Sequence, residues 1–360
     1  MSTTPSCLVN RFDHIEFATD NAAEMQKLFE NFGFVNTQFR DGPRGVEKLL
    51  VQGQARILMV EGGPGTHADE YVRLHGPGVS SIAFHSVNAA DTLRVAVERG
   101  ATQAHPASEE RDVYNPKFFV KRAAIRSFGD VLATFVERSQ TPFDVKALFA
   151  PGFKVIPGAE DKVHDVGLLS IDHLTNNVEM GQMDKWTDFY KNIYGWVEAR
   201  YFDISASKTG LFSKVLQSPD GAVKIPVNEA KEAKSQIQEF IDQHKGPGVQ
   251  HIALTTADIR KSVVALRKNG VKFLHIPKTY YENLPARGLK FTEPVTALQN
   301  LEILVDGDEK GYLLQIFTEN QIGPLFFEVI QRKAHMGFGE GNFKALFEAI
   351  ERDQERRGVL

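Results

Sequence analysis

GPGVQHIAL stands at residues 246–254 and GPGVSSIAF at 76–84, the same phrase at an offset of 170 residues with six of nine letters shared. Each reads as a short strand with a helix behind it. In ADIRKSVVALRKNG, Asp258 can cap, Ile259, Val263 and Leu266 share one face, and Gly270 stands where a helix ends. NAADTLRVAVERG repeats this with Asn88, Leu93, Val97 and Gly100. Farther out, FDHIEFATD (12–20) and SIDHLTNNV (170–178) read as opening strands. An amphipathic helix follows each, with Met25, Leu28, Phe29 and Phe32 in one copy and Trp186, Phe189, Tyr190 and Ile193 in the other. VLATFVERS (131–139) and LFFEVIQRK (325–333) close the copies as strands. A repeat this long marks a duplicated architecture, and the alternation of short strands with helices predicts an α+β fold of two tandem domains. We expect an N-terminal domain at 1–140, a turn-rich linker at 141–165 and a C-terminal domain at 166–360.

The bulk numbers agree with two soluble globular domains: 360 residues, 42% hydrophobic and 24% charged. A net charge of −4 without a basic run argues against nucleic acid or an anionic membrane as partner. No stretch approaches the roughly 18 apolar residues that span a bilayer, and MSTTPSCLVNRFDHIEF lacks the pattern of a signal peptide. Cys7 is the sole cysteine, so no internal disulfide or cysteine metal cluster forms, which fits the cytoplasm.

The two copies differ where chemistry would sit. His14 and His173 match in the opening strands, but Ser81 stands where the second copy has His251, and Thr134 where it has Glu328. Two histidines and one carboxylate on three strands are the ligand set of the facial triad, which suits Fe(II) and leaves coordination positions open. A strand histidine can equally be a hydrogen-bonded core residue, and both readings stand at this point. A carboxylate between FF and VI is costly to bury unless it is paired or metal-bound. His14 lacks such partners, so the first half is expected to be a metal-free shell.

The second half resembles the 4-hydroxyphenylpyruvate dioxygenase family of the vicinal-oxygen-chelate superfamily. The resemblance is carried by IDHLTNNV, EARYFDI, IPVNE, SQIQEF, GPGVQHIAL, PKTYYENL, LLQIF, GPLFFEVIQRK and FGEGNFKALFEAIERDQERRG, in that order. It implies paired βαβββ modules in each half, forming an open, barrel-like sheet with helices outside. It also implies a C-terminal gating helix at 342–356, introduced by the glycines of GFGEGN as a joint. The implied activity converts 4-hydroxyphenylpyruvate and O2 into homogentisate and CO2, in tyrosine and phenylalanine breakdown. One Fe(II) per chain would be bound by His173, His251 and Glu328. Asn228, Gln250 and Gln315 would take part in the reaction, and Ser213, Gln236, Phe317, Phe326, Phe338, Asn342 and Phe343 would bind substrate.

Several of these residues also have plain readings as strand core, turn former or helix surface. The nearest rival is 4-hydroxymandelate synthase, whose pattern is aliphatic where this sequence has Asn228 and Phe343. An extradiol dioxygenase and a metal-free binding module of the same fold are more distant rivals. A homo-oligomer, dimer or tetramer, is expected.

Overall fold

The computed structural model describes residues 5–140, 147–159, 166–205 and 208–358. The first half contributes β1 (Phe12–Thr19), β2 (Val35–Gly42), β3 (Gly45–Gln52), β4 (Ala55–Gly62), β5 (Gly78–His85), β6 (Gln103–Arg111), β7 (Phe119–Arg126), β8 (Leu132–Arg138) and β9 (Lys154–Val155). Its sheet order is β6-β7-β8-β5-β1-β4-β3-β2-β9. The second half contributes β10 (Leu168–Val178), β11 (Val197–Ser205), β12 (Gly210–Gln217), β13 (Lys224–Ala230), β14 (Gly248–Thr256), β15 (Leu304–Gly307), β16 (Tyr312–Phe317) and β17 (Phe326–Lys333). Its order, β11-β12-β13-β10-β14-β17-β16-β15, is the first order read backwards without β9. Each half is thus two βαβββ units joined through an antiparallel centre, β1 on β5 and β10 on β14. Both are curled, half-barrel sheets of a mixed α+β fold with helices outside.

Local chemistry explains the helices. Before α1 (Ala22–Asn31) the Asn21 side chain accepts from the Glu24 amide. Asn88 and Asp258 cap α3 (Ala89–Glu98) and α6 (Ile259–Lys268) by accepting from the amides of Asp91 and Lys261. Such caps contribute about 1 kcal/mol each. The remaining helices are α2 (His67–His75), α4 (Met183–Tyr194), α5 (Gln236–His244), α7 (Lys278–Glu282), α8 (Val295–Leu301) and α9 (Glu340–Arg357). The last is longer at both ends than the expected 342–356.

One large apolar core cluster runs through both halves, with two small ones beside it among the described residues. Phe327 packs on Phe32 at 4.6 Å and on Phe29 at 5.9 Å across the seam, and the buried Trp196 indole donates to the Val9 carbonyl at 2.8 Å. Aromatic pairs of this kind are worth about 0.5–1.5 kcal/mol each beyond the area they bury. Of the expected linker, 141–146 and 160–165 lie outside the described residues. Between them the chain is no bare connection: Phe149, Ala150 and Phe153 are buried, and β9 pairs with β2 as the sheet's last strand.

Candidate metal centre

Register brings the three expected ligands together. In the second half His173 stands opposite Ala253, which stands opposite Glu328 on the next strand. In the first half the corresponding chain is His14, Ala83 and Thr134. The correspondence inferred by aligning the two copies is therefore the one the strand pairing produces. One donor atom from each of His173, His251 and Glu328 lies within 4.8 Å of the others, and all three side chains are buried. His173 Nε2 is 3.3 Å and His251 Nε2 3.5 Å from the same carboxylate oxygen, Oε2 of Glu328.

The outer partners set which ring nitrogen is available. His173 Nδ1 donates to Asp172 Oδ2 at 2.8 Å, and Asp172 is itself held by Arg332 at 2.7 and 2.8 Å. His251 Nδ1 donates to Gln250 Oε1 at 3.1 Å. Each imidazole therefore turns the lone pair of Nε2 toward the carboxylate; that of His251 accepts from the Thr175 hydroxyl at 3.0 Å. Gln315 Nε2 donates to Glu328 Oε1 at 2.9 Å, so one carboxylate oxygen is occupied and the other faces the histidines. Two neutral-imidazole donors and one carboxylate, each braced from behind, fit a borderline divalent ion.

The electrostatics agree with a site built around charge. Burial works to raise the pKa of Glu328, but His173 and His251 in their protonated forms outweigh it and hold it at about 2, so a bound cation would replace a proton that the imidazoles otherwise carry. Burial likewise opposes the charged form of His173, yet Glu328 and Asp172 raise its pKa. For His251 burial wins and the pKa falls.

The ligands open into a cavity lined also by Ser213, Asn228, Gln236, Gln250, Phe317, Phe338 and Phe343, all expected from the sequence. Three expected residues stand behind its wall. Gln315 bonds Glu328, Asn342 donates to Gln315 at 3.0 Å, and Phe326 stacks on His251 at 4.8 Å while lining a neighbouring cavity. Asn228 lies 3.4 Å from Gln250 Oε1, which it shares with His251. Phe343 meets Phe202 edge-on at 4.8 Å, and Phe338 meets His173 edge-on at 5.5 Å.

The sequence reading missed Thr175, Ile204, Leu211, Pro226, Leu346, Phe347 and Ile350 on this cavity. Strand alternation could have found some of them. Thr175, Leu211 and Pro226 each lie two residues from an expected site residue on the same strand, so they share its face.

A duplicated, curled sheet with this donor set on its inner side defines a protein of the glyoxalase, bleomycin resistance protein and dioxygenase superfamily, with a candidate metal centre in its second half. The sequence profile of that superfamily matches residues 170–295. The profile described as hydroxyphenylpyruvate dioxygenase, HPPD, N-terminal, matches residues 4–147. The chain is 41% identical to 4-hydroxyphenylpyruvate dioxygenase of Pseudomonas aeruginosa over 354 residues, 97% of this chain and 95% of that protein. To the enzyme of the same name from Legionella pneumophila (strain Corby) it is 39% identical over 363 residues, 100% of this chain and 99% of that protein. The chain belongs to the 4-hydroxyphenylpyruvate dioxygenase family. Among solved structures, a mutant of 4-hydroxymandelate synthase from Streptomyces coelicolor superposes with a TM-score of 0.83 at 26% identity, covering 96% of this chain and 99% of that one. Among the described residues no helix is long and apolar enough to cross a membrane.

Proposed function

We propose that this protein converts 4-hydroxyphenylpyruvate and O2 into homogentisate and CO2, in tyrosine and phenylalanine breakdown, with one Fe(II) per chain held by His173, His251 and Glu328. The observation that carries the reading is the convergence of these three side chains on a cavity walled by Phe317, Phe338 and Phe343, in a chain of this family. Iron at this position supplies Lewis acidity toward a 2-oxo acid and the electrons that activate O2.

The rest of the work falls to the protein. Asp172 and Gln250 fix the two imidazole tautomers, and Gln315 holds one oxygen of Glu328. The phenylalanines offer flat apolar faces to an aromatic ring. Ser213, Asn228 and Gln236 offer hydroxyl and amide groups on the wall, suited to the phenol hydroxyl and the carboxylate of the substrate. Leu346, Phe347 and Ile350 of α9 close the cavity against water with an apolar stripe. Positioning to within about an ångström decides which carbon reacts.

The test is product identity. Purified protein is supplied with 4-hydroxyphenylpyruvate, Fe(II) and O2, and the acid formed is identified by chromatography. Homogentisate is expected; hydroxymandelate would replace this reading with that of the synthase. We further propose a cytoplasmic homo-oligomer, dimer or tetramer. A reducing compartment suits a chain with one cysteine. Sedimentation of the purified protein reads its copy number.

A further inference from the structure

The second half carries an insertion that the first lacks. In the first half α3 leads directly to β6, whereas in the second α7, a 3-10 turn at Leu284–Arg287 and α8 stand between α6 and β15. Two side chains of this insertion reach the start of α9. Tyr280 Oη accepts from the Val305 amide at 2.9 Å and from Arg287 Nη1 at 3.2 Å. Its proton faces two acceptors, Asn342 Oδ1 at 2.7 Å and the Val305 carbonyl at 2.9 Å, of which Asn342 is the nearer. Arg287 Nη1, which can only donate, also lies 3.5 Å from that oxygen, and the two donors turn the Asn342 carbonyl oxygen toward them. Asn342 Nδ2 then donates to Gln315 Oε1 at 3.0 Å, and Gln315 Nε2 donates to Glu328 Oε1 at 2.9 Å and to the Phe338 carbonyl at 3.1 Å. The series runs unbroken from the insertion, through the first turn of α9, to a candidate metal ligand. Burial pushes the Tyr280 hydroxyl up to about 12, so it remains a donor at working pH.

A second arm holds the backbone of the same turn. Arg287 Nη2 donates to Asp306 Oδ1 at 2.5 Å, and Asp306 Oδ2 accepts from the Gly341 amide at 2.9 Å. The glycines here serve close approach. A Cβ on Gly341 would stand 1.9 Å from Arg287 Nη2, and one on Gly339 2.0 Å from Gln315 Oε1. The joint that the sequence suggested as a hinge is packed on both sides.

We propose that Tyr280, Arg287 and Asp306 are positioning residues for the metal centre, locking the first turn of α9 so that Asn342 and Gln315 present Glu328 in one orientation. The proposal rests on the metal-binding part of the reading above. It is tested by the rate at which iron-loaded protein gives up Fe(II) to an excess of a coloured chelator, a readout that needs no substrate. Tyr280→Phe keeps the ring and removes the directing hydroxyl. Since partners behind a ligand typically change metal affinity 10- to 100-fold, release should accelerate about tenfold. Tyr71→Phe removes a buried hydroxyl whose partner, His244, does not line the cavity, and should leave release unchanged. In an Asn342→Leu background, Tyr280→Phe should accelerate release less than twofold more, because its route is already cut. Release at the wild-type rate in Tyr280→Phe, even with a lowered melting temperature, overturns the proposal, and so does full multiplication of the two effects in the double variant. A wild type that holds no iron overturns both the metal reading and this proposal. If iron binds but the product is another acid, the reaction assigned above falls while the release rates still decide this proposal.

Discussion

His14 and His173 occupy one position in two copies of the same sheet, and each donates through Nδ1 to the aspartate before it, itself held by an arginine, Arg138 or Arg332. The orienting apparatus is thus duplicated, and the difference lies in what stands across from each ring. The first copy offers Ser81 and Thr134, whose hydroxyls bond each other at 2.8 Å. We therefore expect His251→Ala and Glu328→Ala to bind iron far more weakly, and His14→Ala to keep one iron per chain at a lowered melting temperature. Iron analysis of the three purified variants checks this, and equal loss in all three would remove the asymmetry. At the same scale, Phe343 sets the tilt of the substrate ring in our reading. Phe343→Ile removes a contact worth about 0.5–1.5 kcal/mol, and about 1.4 kcal/mol in relative barrier changes a product ratio tenfold. Detectable hydroxymandelate alongside homogentisate is the expected outcome, and an unchanged product would exclude Phe343 from ring positioning.

Among the elements, α9 brings Phe343, Leu346, Phe347 and Ile350 to the cavity wall. Its far part is tied down by Glu351, which accepts from the amide and hydroxyl of Thr209 at 2.8 Å each, and by Gln354, which donates to Glu239 of α5 at 2.7 Å. Deleting 345–360 should leave the three ligands in place but admit water. Iron should remain near one per chain while oxygen consumption exceeds homogentisate formation; an oxygen electrode run beside product chromatography gives the ratio, and a ratio of one would make α9 a structural cap. The stripe Phe343, Leu346, Phe347 and Ile350 was legible as helical periodicity, yet periodicity does not say whether an apolar stripe meets core or cavity. The caps at Asn88 and Asp258 and the grouping of His173, His251 and Glu328 were legible because each repeats or breaks a repeat between the copies. The strand β9 was not, since two residues carry no pattern. Nor was the role of Tyr280 or Arg287: α7 has five residues, too few for a period, and the partners Asn342 and Asp306 lie 62 and 19 positions away.

The whole molecule is joined along a seam where α2 of the first half meets α5 of the second. The Tyr71 hydroxyl donates to His244 Nε2 at 2.9 Å, and His244 Nδ1 donates to the Gly246 carbonyl at 2.9 Å. His75 stacks on it at 4.6 Å and bridges Asp130 to the His244 carbonyl, and Phe240 stacks from its own helix at 5.2 Å. Burial, helped by His75, pushes the pKa of His244 down to about 4. A histidine lowered in the fold stays neutral there while the unfolded chain takes up a proton. Its contribution is therefore constant above the ordinary value of 6.5 and is lost as pH falls toward 4. The loss is of order 3 kcal/mol. Thermal melts from pH 8 to pH 4 should steepen in that window, and His244→Gln should flatten the fall; parallel curves would place the acid sensitivity elsewhere.

The hydroxyl pair at Ser81 and Thr134 also bears on how a second centre could be built. Two small groups that satisfy each other leave no orphaned charge behind, so the first copy is stable as it stands. Histidine alone at 81 would face a threonine, and glutamate alone at 134 would be a carboxylate without an imidazole at 81 to share it, so each single step is penalised and only the pair is rewarded. Two positions at once hold the first half out of metal chemistry, as a lock with two keys.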